Sequence, residues 1–197
     1  RRLMDSIRGL PADWITPDWP ACERVGAVFT TRQGGASSSP FDSFNLGDHV
    51  GDDVSAVAAN RQRLASAIAS NPVFMTQVHG TGVALLDELP PGGVVADACV
   101  STSPGMACTV MVADCLPVLL ADRQGRAVAA AHAGWRGLAA GVVEAAVNAL
   151  LRALSGAGSS GICTPGDIVA WLGPCIGHEA FEVGDDVRQA FTSMDSE

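Results

Sequence analysis

Apolar residues in this chain change their spacing near residue 72. Between Val54 and Ser70, Val54, Val57, Ala58, Leu64, Ala65 and Ile68 recur with a helical period. An amphipathic helix is expected there, capped by Asp52 or Asp53. Arg61 falls on or beside its apolar stripe, where it either snorkels or reaches into a site. From Pro72 onward short apolar runs predict strands over Val73–Val78, Gly82–Leu86 and Cys108–Val112. Val118–Ala121 and Ala127–Ala131 are joined by Asp122-Arg123-Gln124-Gly125-Arg126, which reads as a hairpin with glycine near the turn. After Gly137 an Ala/Leu/Val helix with few charges is expected to about Leu154, packed deeply on the sheet. A Gly/Ser/Ala loop at Ser155–Gly161, a strand at Ile168–Leu172 and a helix at Val183–Phe191 follow. Residues 1–25 hold three prolines and two tryptophans without a period and read as an irregular lead-in to a strand at Gly26–Thr30. Hairpins mixed with helices, with no internal repeat, predict an α/β fold: mixed β-sheets layered with helices in one compact domain over residues 26–197.

Composition narrows the class. At 197 residues and 48% hydrophobic content the chain can bury one substantial core. Its formal charge of −9, with 12 scattered basic residues, repels a phosphate backbone, so no nucleic-acid partner is expected. Apolar stretches fall short of the roughly 20 residues a membrane span needs, so no membrane partner is expected. The N-terminal Arg1-Arg2-Leu3-Met4-Asp5 lacks the apolar middle of a signal peptide, which points to the cytoplasm. Six cysteines without C-x-x-C spacing read mostly as buried free thiols.

Three soft-metal donors stand apart from that background. His79 closes one strand-like run, Cys115 precedes another, and His132 lies where a strand stops and a helix begins. Two imidazoles and one thiolate would leave a zinc ion its fourth position open, the arrangement of a catalytic site, and copper is the alternative metal. The loop Thr31-Arg32-Gln33-Gly34-Gly35-Ala36-Ser37-Ser38-Ser39-Pro40 reads either as a flexible turn or as an anion-presenting loop with Arg32 as its clamp.

These segments carry a resemblance. Gln77-Val78-His79-Gly80, Ala113-Asp114-Cys115-Leu116-Pro117-Val118 and His132-Ala133-Gly134-Trp135-Arg136-Gly137 resemble the YfiH-like or laccase-domain family, together with Phe29–Gly35, Asn60-Arg61 and Gly173-Pro174-Cys175-Ile176-Gly177. That family was first labelled multicopper polyphenol oxidases and now includes purine nucleoside phosphorylases and a peptidoglycan editing factor. The resemblance implies a zinc enzyme with His79, Cys115 and His132 as metal ligands. It implies phosphorolysis of adenosine, inosine, guanosine or methylthioadenosine, with adenosine deamination in some members. Zinc can activate water for deamination, whereas phosphorolysis needs an anion held near the sugar and charge stabilised on the departing base. Cys115, His132, Arg61 and Asp114 are the expected catalytic residues. Arg32, Gln77 and Arg136 are the expected substrate-binding ones, with Gln77 and Asp114 as candidates to orient ligands or handle protons.

Family members usually continue several dozen residues past the position of Glu197, so the family's C-terminal tail is expected to be lacking. Cys99, where an aliphatic residue is more usual, reads as a core substitution. Two rival chemistries fit the same residues. One is a Cys/His hydrolase or amidase acting in peptidoglycan editing, with Cys115 as nucleophile and His132 as base. The other is a copper-dependent phenol oxidase, for which four histidines are few.

Overall fold

Alanine-rich strands allow one helix to lie close against a central sheet. The computed structural model describes residues 10–88, 93–156 and 163–193. Among the described residues the elements run α1 (Val54–Ile68), β1 (Asn71–Val73), β2 (Val83–Leu85), β3 (Ala98–Ser101), β4 (Met106–Cys108), β5 (Leu116–Asp122), β6 (Val128–Ala133), α2 (Trp135–Ala139), α3 (Val142–Gly156), β7 (Ile168–Leu172) and α4 (Asp185–Thr192). The main sheet has the order β2-β3-β6-β5-β7, with β2 and β3 parallel and the remaining pairs antiparallel; β1 and β4 form a separate parallel pair. This is an α/β architecture of mixed sheets layered with helices.

The period of two along each strand divides the core. Ala98, Val100, Val118, Leu120, Ala129, Ala131 and Ala133 face α3, which answers with Val142, Ala146, Ala149, Leu150 and Leu154. Those five are spaced at helical intervals, and Val142, Ala146, Leu150 and Leu154 are completely buried. Cys99 and Ala130 point to the opposite face, against Met75, Ala84, Leu86 and Ala96. His132 follows Ala130 by two residues and shares that second face, at the end of β6. A third cluster packs Trp14, Phe44 and Leu64 of α1.

Several elements differ from the sequence pattern. The strand expected at Gly26–Thr30 is a single bridge, Phe29 with Ile15, closed by two backbone hydrogen bonds of 2.8 Å. The run Val73–Val78 is split: β1 ends at Val73, and Thr76 makes an isolated bridge to Val95. Pairing also ends at Cys108 rather than continuing to Val112, and Leu86 turns into a 3₁₀ segment. The helix after β6 is broken in two, because Ala140 caps α2 and Gly141 takes φ +92°, a conformation glycine adopts without steric cost. Of the expected loop Ser155–Gly161, Ser155 and Gly156 end α3, and residues 157–161 lie outside the described residues.

The Thr31–Pro40 loop is pinned rather than loose. Asn60, 1% exposed on α1, donates from Nδ2 to Ser37 Oγ and to the carbonyls of Ser43 and Asn45, and accepts from the Ala36 N–H. Its amide thus ties this loop, and the Ser43–Asn45 segment after it, to the helix. Among the described residues no helix is long and apolar enough to cross a membrane.

Candidate metal centre

His79, Cys115 and His132 meet at one rim of the sheet. Their donor atoms all lie within 4.8 Å of one another. His79 Nε2 is 3.7 Å from Cys115 Sγ, and the two imidazoles stand edge to face with centroids 4.7 Å apart. The strands explain the meeting. Cys115 immediately precedes β5, His132 is the penultimate residue of β6, and the β5–β6 register sets Pro117 opposite His132. His79 arrives from the turn after β1, in a left-handed conformation with φ +61°. Such a backbone costs a non-glycine residue about 1–2 kcal/mol and requires support from its surroundings.

That support is Asp97, a residue the motif reading passed over. Its carboxylate is completely buried. One oxygen, Oδ1, accepts from the His79 N–H at 2.8 Å and faces His132 Nδ1 at 2.9 Å. The other, Oδ2, accepts from the N–H groups of Gly80 at 2.8 Å and Val78 at 3.1 Å. An ionised carboxylate only accepts, so His132 Nδ1 carries a proton and Nε2 is the ring nitrogen left to face a ligand. Burial pushes the Asp97 carboxyl up, but the bonds from His132 and from the three backbone N–H groups outweigh it and hold it below its ordinary range. A sequence signal was present: Asp97 interrupts the apolar run from Val94 to Val100, and a carboxylate inside such a run is rarely buried unless paired.

Glycine makes room for the donors. A Cβ built at Gly134 would sit 2.7 Å from His79 Cδ2 and 2.8 Å from Cys115 Sγ, closer than real side chains approach. Burial pushes the Cys115 thiol up, and the carboxylates of Asp114 and Asp97 push it the same way. A raised thiol is a poor free nucleophile, whereas metal coordination deprotonates it outright. With two imidazole nitrogens and a sulfur, the donor set suits a soft or borderline ion.

The other residues singled out in the sequence divide into two groups. Gln77 does not face the ligands: its amide donates to the Met111 carbonyl and accepts from the Met111 N–H, both at 2.8 Å. Arg32 binds the Asp42 carbonyl and carboxylate on an exposed loop. Arg61 is half-buried, donating to the Leu46 carbonyl, pairing with Asp48 at 3.2 Å and lying over the Phe74 ring. Burial pushes the carboxyl of its partner Asp48 up, but the Arg61 charge together with hydrogen bonds from the backbone and from Arg61 outweighs this and holds it below its ordinary range. Closer in chain to the cluster, Arg136 is the second residue of α2, two beyond Gly134, and stacks over Trp135 at 4.2 Å. Asp114 is exposed beside Cys115, and its carbonyl accepts from the Ile176 N–H, tying the Gly173–Gly177 segment to the rim.

Residues 26–197 match the family model described as multi-copper polyphenol oxidoreductase laccase. The chain belongs to this YfiH-like, laccase-domain family. A Pseudomonas aeruginosa protein named purine nucleoside phosphorylase is 54% identical over 186 residues, covering 93% of this chain and 71% of that protein. Escherichia coli YfiH, also named a purine nucleoside phosphorylase, is 48% identical over 184 residues, covering 92% and 71% respectively. The fold is that of a solved Neisseria meningitidis protein of the DUF152 family, with a TM-score of 0.83 at 43% identity over 93% of this chain and 71% of that one. Geobacillus stearothermophilus YlmD follows with a TM-score of 0.72 at 29% identity, covering 94% and 67%. In this YfiH-like chain the cluster of His79, Cys115 and His132 is the group able to hold a metal ion among the described residues.

Proposed function

We propose that the chain is a zinc-dependent purine nucleoside phosphorylase, its catalytic unit spanning residues 26–197 after a lead-in at 1–25. His79, Cys115 and His132 are the metal ligands. It cleaves the N-glycosidic bond of adenosine, inosine, guanosine or methylthioadenosine with phosphate. The spacing of the donors carries this reading. A tetrahedral zinc with Zn–N of ~2.0–2.1 Å and Zn–S of ~2.3 Å sets its nitrogen and sulfur donors about 3.6 Å apart. His79 Nε2 and Cys115 Sγ stand at 3.7 Å before any ion is considered. The names of the relatives support the substrate class.

Bound zinc would supply Lewis-acid stabilisation of negative charge, with three protein donors and one open position. The chain's own residues do the rest. His132 is held as the Nδ1–H tautomer by Asp97. Of the three arginines in motif positions, Arg136 stacks on Trp135 and is the one without a carboxylate partner among the described residues, which makes it our candidate to hold phosphate. Arg61 and Arg32 already face Asp48 and Asp42, which leaves them a lesser share of anion binding or a role in ordering their loops. Asp114, exposed beside Cys115, is placed to accept or return a proton at the rim.

Zinc-loaded protein incubated with adenosine and phosphate should release adenine and ribose 1-phosphate in equal amounts. Inosine formed without phosphate would assign adenosine deamination to the same centre. No turnover of either kind sinks the proposal. Chelation should remove activity together with one metal per chain. Activity that survives in metal-free protein would instead favour a Cys115 hydrolase acting on peptidoglycan precursors, against which the raised thiol argues. A multicopper oxidase is disfavoured because His49 and His178 are exposed beside Asp48 and Glu179 and stand outside the cluster.

A further inference from the structure

We propose that Asp97 is the positioning residue of the metal centre, a single carboxylate that builds two of its three ligands into binding geometry before an ion arrives. The proposal rests on the metal-binding reading of the cluster and is independent of which reaction that cluster serves.

Its two oxygens divide the work between elements distant in sequence. Oδ1 takes the His79 N–H and His132 Nδ1, and Oδ2 takes the Val78 and Gly80 N–H groups. Three successive backbone donors converging on one anion form the concave arrangement that favours an anion at a tight turn. In this turn the arrangement holds His79 at φ +61° with its ring toward Cys115. The main chain adds a further tie: His132 donates its own N–H to the Asp97 carbonyl at 2.7 Å. Strand pairing therefore sets Asp97 beside His132, and the carboxylate then carries that placement over to the His79 turn.

Asparagine cannot replace this carboxylate in either orientation. With the amide oxygen at the Oδ1 place, the NH₂ group confronts the N–H groups of Val78 and Gly80. With the oxygen at the Oδ2 place, the NH₂ group confronts the His79 N–H and donates to His132 Nδ1, which forces the His132 proton onto Nε2 and removes the lone pair a metal needs. Neutral loss of one proton acceptor thus disables either the turn or the tautomer. Groups that orient a ligand histidine in this way typically cost about 10–100-fold in metal affinity when they are lost.

The test is competitive zinc titration of the purified full chain and of Asp97→Asn, alongside Asp122→Asn. Asp122 is likewise completely buried, but it binds Arg126 at the far end of β5. Asp97→Asn should bind zinc about 10–100-fold more weakly, whereas Asp122→Asn should lose stability and keep its zinc affinity. Asp97→Asn that is folded and binds zinc within about twofold of the parent overturns the proposal. Should Asp97→Asn not fold, the parent protein decides. In metal-free parent, long-range ¹H–¹⁵N spectra should show His132 Nδ1 carrying a proton hydrogen-bonded to Asp97, and an Nδ1 without a proton would overturn the proposal. Neither readout involves nucleoside turnover, so a failure here is distinct from a failure of the phosphorylase assignment.

Discussion

One methyl group at position 134 is enough to disturb the donors, since it would fall within van der Waals contact of both His79 and Cys115. Overpacking of this kind typically costs about 1–3 kcal/mol. If the ligand pair bears it, Gly134→Ala should weaken zinc binding about tenfold or more, read by chelator competition. An unchanged affinity would mean that the donors sit farther apart when loaded. Such a steric role is invisible in a string of letters, where Gly134 is simply part of a motif. The donors themselves were legible, because His79, Cys115 and His132 each punctuate an apolar run. Asp97 was legible only as a carboxylate inside an apolar run, because its role lies in four partners gathered from two other segments. Gln77 shows the reverse: its place beside a ligand in the sequence says nothing about its amide, which bonds to the Met111 backbone.

At the scale of elements, end groups and loop anchors carry testable energy. Asp53 caps α1, accepting from the N–H groups of Ser55 and Ala56. Asp53→Ala should therefore cost about 1 kcal/mol in denaturant unfolding. Asp87, in the 3₁₀ segment after β2, ties down the exit of β3. Burial pushes its carboxyl up, but Ser101 Oγ and the N–H and hydroxyl of Thr102 outweigh this and hold it at about 2. A carboxyl whose folded value is depressed adds stability above its unfolded value near 4, and that stability is lost as pH falls toward 2. Asp87→Asn should thus lower stability at pH 7 by about 1 kcal/mol after solvent screening and flatten its decline between about pH 4 and 2. An acid limb as steep as the parent's would refute this. The elements read best from sequence were α1 and the β5–β6 hairpin, where helical period, cap and turn residues all agree. The 26–30 and 73–78 runs misled because, apart from Val73 at the end of β1, the β-prone residues there pair only at isolated bridges. β3 was missed as a strand because all four of its residues are buried, which leaves no alternation to read.

Across the whole molecule, the sheet between α3 and the second core governs stability. Leu150→Ala empties a fully buried position and should cost about 2–5 kcal/mol, measured as a shifted denaturation midpoint with little change in slope. Zinc at about one hundred times its dissociation constant should add about 2.7 kcal/mol, so chelation should lower the thermal midpoint of the loaded protein. The pairing of Pro117 with His132 extends this linkage to folding itself. Slipping β6 by one residue would turn His132 toward α3 and present an alanine at the rim instead. A misregistered chain could then gather at most two of the three donors, and an ion would draw the population toward molecules whose strands are correctly paired. A centre that binds its ion would thereby act as a proofreader of the fold that holds it, rewarding correct pairing of the sheet with occupancy.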